Sequence, residues 1–112
     1  MGYDLHITRA TNWADNLGLE IPVDEWLAVV REDPELLPDP SNGPYAAAWS
    51  SAKAGHGGWF DWYEGTVFTT DPGAPTVGKM VSIAKILAAI VQGDEGEVYE
   101  SQRDWRGQPS ST

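Results

Sequence analysis

The stretch Trp59-Phe60-Asp61-Trp62-Tyr63-Glu64-Gly65-Thr66-Val67-Phe68 decides the fold class. Two runs rich in aromatic and β-branched residues flank Glu64-Gly65, which reads as the two-residue turn of a β-hairpin. Such a turn pairs Tyr63 with Thr66, Trp62 with Val67, Asp61 with Phe68, Phe60 with Thr69 and Trp59 with Thr70. Successive side chains alternate across a sheet, so the hairpin has two distinct faces. Phe60, Trp62, Val67 and Thr69 suit a core. Trp59, Asp61, Tyr63, Thr66, Phe68 and Thr70 mix rings with polar groups, the composition of an interface. A three-residue Tyr63-Glu64-Gly65 loop would change the pairing but keep the alternation within each strand.

Working outward, Tyr3 to Arg9 alternates with period two, placing Tyr3, Leu5 and Ile7 on one face of a first strand and Asp4, His6 and Thr8 on the other. Residues 10–20 read as a loop anchored by Trp13 and Leu17. Val23, Trp26, Leu27 and Val30 follow helical spacing behind Pro22, with Asp24 and Glu25 complementing the dipole; the helix ends near Glu32, because Asp33 precedes Pro34. Pro34, Pro38, Pro40, Asn42-Gly43 and Pro44 indicate a loop with at most one helical turn at Pro34–Leu37. Tyr45 to Ser51 reads as a strand, and Lys53 to Gly58 as a flexible connection. Pro75 opens a strongly apolar helix running to Val91, closed by Gly93, and Gly96 to Glu100 returns as a short strand. The order β-α-β-β-β-α-β gives an α+β fold. The expectation is a single domain over residues 1–101, with an antiparallel sheet of four to five strands and two helices on one face, followed by a polar, flexible tail at 102–112 from which Trp105 tucks down.

The 112 residues suffice for one core, and a hydrophobic content of 41% with six tryptophans places the chain among folded proteins despite its net charge of −10. The absence of cysteine excludes disulfides, thiolate nucleophiles and cysteine-based zinc sites. Neither a signal peptide nor a myristoylation motif is recognisable, and the apolar run Val77–Val91 contains two lysines and is too short to span a bilayer, so a cytoplasmic location is expected. Seventeen acids against seven bases disfavour nucleic acids and anionic membranes and favour a basic partner. Between Trp13 and Pro40 lie eight acids, Asp15, Glu20, Asp24, Glu25, Glu32, Asp33, Glu35 and Asp39, against Arg31 alone.

No motif requires catalysis. His6 and His56 lie outside any H-x-x-x-H, H-E-x-x-H or Ser-His-Asp context; His6 reads as a sheet-face residue and His56 as a loop residue. Gly93-Asp94-Glu95-Gly96-Glu97 lacks calcium-loop spacing, and Gly55-His56-Gly57-Gly58 does not open a helix as a phosphate loop does. No catalytic residue, metal ligand set or cofactor is therefore indicated.

Tyr3-Asp4-Leu5-His6-Ile7-Thr8-Arg9-Ala10, Glu25-Trp26-Leu27, Trp59-Phe60-Asp61-Trp62 and Val91-Gln92-Gly93-Asp94-Glu95-Gly96-Glu97-Val98-Tyr99 together resemble a family of short, uncharacterised bacterial proteins. The resemblance spans about residues 3–99 and implies no catalytic residues. In size, acidity and lack of cysteine the chain is also loosely similar to immunity proteins that neutralise polymorphic bacterial toxins. The leading expectation is a non-enzymatic protein-binding domain, an immunity protein for a cationic toxin being one form, with Trp59, Asp61, Tyr63, Glu64 and Phe68 as binding residues. The alternatives are a small-molecule binder or enzyme with a pocket beside Trp59, His56 and Asp61, and a homodimer joined through the open sheet face.

Overall fold

A computed structural model describes residues 3–51 and 56–105, the side chains of Ser51 and His56 excepted. They form one α+β globule. Seven strands, β1 (Asp4–Thr8), β2 (Leu36–Pro38), β3 (Ala47–Ser51), β4 (His56–Tyr63), β5 (Thr66–Thr70), β6 (Ile90–Gly93) and β7 (Val98–Tyr99), lie in the order β2-β3-β4-β5-β1-β6-β7. All pairings are antiparallel. Helices α1 (Val23–Glu32) and α2 (Ala74–Ile86) bury their apolar sides in the same core. None of the helices among the described residues is long and apolar enough to cross a membrane.

The sheet thus has seven strands, not four to five. The two additional strands are ones whose sequences carry weak signals. Leu36–Pro38 pairs with β3 at the sheet edge, where a three-residue strand tolerates Pro38 because no further neighbour needs its missing N–H. Ile90–Gly93 continues an apolar run that reads as helix, yet α2 stops at Ile86 and Gly93 is not its cap. The stop is a Schellman arrangement: Ala89 N–H donates to the Ala84 carbonyl at 2.9 Å and Ala88 N–H to that of Lys85 at 3.3 Å. Ala88 takes the left-handed conformation, φ 54°, normally occupied there by glycine, so the sequence lacks the usual stop signal. Beyond it, Val91 pairs with Ile7.

The hairpin has the register of a two-residue turn: Tyr63 opposes Thr66, Trp62 opposes Val67 and Asp61 opposes Phe68. Glu64 and Gly65 have φ of 49° and 88°, as a type I′ turn requires. The ladder stops after those pairs. Phe60 opposes Ala47 and Trp59 opposes Ala48, not Thr69 and Thr70, while Thr69 and Thr70 oppose Leu5 and Asp4. Strand β4 therefore changes partner along its length, joining the β2–β3 ribbon to the rest of the sheet. Strand β3 begins at Ala47, two residues later than expected. His56-Gly57-Gly58 belongs to β4 and not to a flexible connection; the remainder of that connection lies outside the described residues. Gly58 serves close packing, since a Cβ there would stand 2.8 Å from the Thr76 hydroxyl on α2.

The core face carries Leu5 and Ile7 of β1, Trp49 of β3, Phe60 of β4, Val67 of β5 and Val91 of β6, all buried. Trp26 meets Phe60 edge-on at 6.5 Å and donates its indole N–H to the Tyr45 carbonyl at 2.8 Å. Trp62, half-buried on that face, donates to the Ile21 carbonyl at 2.9 Å. Leu17 does not anchor its loop and is almost fully exposed. After β7, Gln102–Asp104 form a 3-10 turn and Trp105 packs edge-on against Tyr99 at 5.7 Å.

Candidate functional site

The second sheet face follows from the same alternation. Asp61, Phe68, His6 and Gln92 oppose one another in succession across β4, β5, β1 and β6, forming a lateral row. Leu37, Ala48 and Trp59 form another across β2, β3 and β4. The two rows have different surroundings. Trp13 lies flat on His6, centroids 3.7 Å apart and planes 7° apart. Buried Gln92 holds that cover in place, accepting from Trp13 N–H at 2.8 Å and donating to the Thr11 carbonyl at 2.6 Å. The loop anchored by Trp13 thus closes the β1–β6 side, whereas Leu37 and Trp59 remain 64% and 39% exposed.

Between these regions is a cleft of about 410 Å³, lined by Asp39, Asn42, Ala48, Trp59, Asp61 and Phe68 together with Ala46 and Gly58. One wall is the ring pair Trp59–Phe68, edge to face at 5.7 Å. The opposite wall comes from the loop before β3. Ser41 Oγ and Asn42 Nδ2 donate to the Asp39 carboxylate at 2.7 and 2.6 Å, and these bonds hold its pKa below the usual carboxylate range. Asp61 Oδ1 accepts the Trp62 N–H at 2.8 Å, which orients the carboxylate at the cleft. Among the described residues the lining holds two carboxylates and two rings, and neither a basic side chain nor a hydroxyl or imidazole nucleophile. Aromatic faces and carboxylates both attract cations.

Of the five residues expected to bind, Trp59, Asp61 and Phe68 share this cleft. Tyr63 lies outside its lining and is 63% exposed. Glu64, at the turn, borders a separate groove with Trp62, Glu20 and Asp15. The His56 side chain lies outside the described residues. Asp39 and Asn42 were not anticipated as site residues; Asp39-Pro40-Ser41-Asn42-Gly43 carries an aspartate-capped turn signal, but sequence alone does not say which strand the turn lies against.

The acidic run between Trp13 and Pro40 does not form one free surface. Arg9 pairs with Glu25, and Lys79 lies 2.6 Å from Asp33 and 3.1 Å from Glu35. This matters for a second groove of about 550 Å³, bordered by Glu25, Glu32 and Asp33 of α1 and its C-terminal flank and by Ile86 and Leu87. Two of its three carboxylates already have cationic partners, whereas neither acid of the aromatic cleft is in an ion pair with a described residue.

Comparisons of the chain with protein-family models, with curated proteins and with solved structures find no match.

Proposed function

We propose that the protein is a non-enzymatic binding domain that accepts a cationic side chain of a basic protein partner in the cleft between Trp59, Phe68, Asp61 and Asp39. The observation that carries this reading is the union of an edge-to-face aromatic wall with two carboxylates that have no basic neighbour in the lining among the described residues. A lysine or arginine entering such a slot gains cation–π and charge-assisted hydrogen bonding, while Leu37 and Trp59 provide apolar area around it. The net charge of −10 steers a basic partner and repels nucleic acid. An immunity protein that blocks a cationic toxin is the biological role most in keeping with these properties.

The experiment is co-purification from the native host at low salt, with wild-type protein beside Trp59→Ala/Asp61→Asn. The reading expects one basic protein that is recovered with the wild type, lost from the variant and released by added salt. Recovery of no protein, of only a second copy of this chain, or of equal amounts with both forms would contradict it.

The cleft volume also lies within the range of small-ligand sites, and this supports a second reading in which a free organic cation occupies the same slot. Tryptophan fluorescence that responds to arginine or an alkylammonium ion, with no protein partner recovered, distinguishes the two.

A further inference from the structure

Beside Phe68, on the neighbouring strand, a different set of side chains converges. Asp4, His6 and Asp94 each offer one ligand atom, and all three atoms lie within 4.8 Å of one another. Asp4 and His6 are two apart on β1 and share its second face, while Asp94 reaches them from the turn after β6. His6 Nε2 lies 2.9 Å from Asp94 Oδ1. Asp94 Oδ2 accepts the Asp4 N–H at 3.0 Å, and the Asp4 carboxylate accepts the Thr70 hydroxyl at 2.7 Å. His6 itself is only 5% exposed, its ring fixed beneath Trp13, whose indole N–H donates to the Asp94 carbonyl at 3.3 Å. Each side chain is thus oriented by a further group, as outer-shell partners orient the ligands of a metal.

Two carboxylates placed this close repel unless a positive charge stands between them. Among the described residues neither Asp4 nor Asp94 is in an ion pair with a lysine or arginine: Arg9 goes to Glu25, and Lys79 to Asp33 and Glu35. The geometry points to a binding site for a divalent transition-metal ion, Zn2+ foremost, with Asp4, His6 and Asp94 as its ligands. Imidazole with carboxylates suits zinc and its neighbours, whereas Mg2+ and Ca2+ favour all-oxygen sets. Ligand atoms held about 2.1 Å from one ion stand roughly 3.0–3.4 Å apart. The His6–Asp94 pair is already near that spacing, and rotation of the half-buried Asp4 side chain brings in the third ligand. Three protein ligands leave a coordination position for water.

The site is separate from the cationic cleft and stands or falls independently of it. The test is isothermal titration of tag-free, EDTA-treated full-length protein with ZnCl2 and, separately, MgCl2. The expected result is one Zn2+ per chain, affinity lowered at least about tenfold by Asp94→Asn and by Asp4→Asn, and much weaker Mg2+ binding. Both exchanges conserve side-chain size, and circular dichroism checks that each variant is folded. A second readout is Co2+, which should broaden the Trp13 indole N–H resonance, assigned with Trp13→Phe, before those of the other tryptophans. Absence of saturable Zn2+ binding, equal affinity in wild type and both variants, preference for Mg2+, or Co2+ broadening that spares Trp13 would overturn the proposal.

Discussion

Trp59 meets Phe68 edge to face, centroids 5.7 Å apart and planes at 88°, and this pair turns an otherwise open sheet face into one wall of a cleft. Trp59 lies on the half of β4 that pairs with β3, and Phe68 opposes Asp61 on the half that pairs with β5. Trp59 and Asp61, two apart on β4, share one face, and Phe68 lies directly across from Asp61, so both rings and the carboxylate stand together.

Trp59→Ala is therefore expected to weaken partner binding by about 2 kcal/mol or more, the scale of a tryptophan hot spot, while costing roughly 1 kcal/mol of stability because the ring is already partly exposed. Tyr63→Ala, outside the cleft, should change both by less than about 0.5 kcal/mol. Calorimetric affinity and urea unfolding check both; a larger binding loss for Tyr63→Ala would move the site to the tip of the hairpin.

Gly65→Ala should destabilise the fold by about 2 kcal/mol or more. Gly65 has φ 88°, and a Cβ there would stand 2.8 Å from the Glu20 Cα, where Ile21 N–H donates to the Gly65 carbonyl at 3.0 Å. The new methyl group must displace backbone. An unchanged urea midpoint would show that residues 16–21 do not rest on the turn.

Ala88→Gly should have the opposite sign. Ala88 is exposed and holds φ 54° at the end of α2, so glycine relieves strain without removing packing and should stabilise by about 0.5–1 kcal/mol. A lowered melting temperature would contradict the Schellman ending and favour a helix that continues toward Val91.

Stability should fall at both extremes of pH through different clasps. Burial pushes the Asp33 carboxyl upward, but hydrogen bonds from Lys79 and the Glu35 backbone, with the Lys79 charge, outweigh it and leave its pKa lowered. Glu97 behaves alike: burial raises it, and the Tyr3 and Tyr99 hydroxyls more than reverse the effect. A lowered folded pKa gives stability that is present above the ordinary carboxyl range, about 4, and lost as pH falls below it. Tyr3 and Tyr99 are raised by burial and by the Glu97 bond, so their stabilisation is present below about pH 10 and lost above it. Urea midpoints across pH should show a shallower acid limb in Lys79→Met and a shallower alkaline limb in Tyr99→Phe. Slopes equal to wild type would refute these assignments.

Much of this architecture was legible wherever period and punctuation agree. The alternation of residues 3–9 and the Asp33-Pro34 stop give β1 and α1 within a residue or two, and Glu64-Gly65 gives the register of the hairpin tip. The reading fails where one signal serves two structures. Ile90 and Val91 extend the apolar run of α2, and only the left-handed turn at Ala88 divides helix from strand. Gly57 and Gly58 resemble a linker until α2 is seen to lie directly against the sheet at Gly58. The site was half legible: alternation selects Trp59, Asp61 and Phe68, but the apposition of Asp39 is a tertiary fact. Likewise, His6 and Asp4 are visible on one strand face, whereas Asp94, some ninety residues away, joins them only through the pairing of β1 with β6.

The most direct test of the cationic cleft is photo-crosslinking in the native host. A benzophenone amino acid replaces exposed Leu37, in the same lateral row as Ala48 and Trp59, in one form of the protein and exposed Arg31 on α1 in another. The cleft predicts a covalent adduct with a basic protein from position 37, suppressed by Asp61→Asn and absent from position 31. An adduct from position 31 alone, or none from position 37, would contradict it.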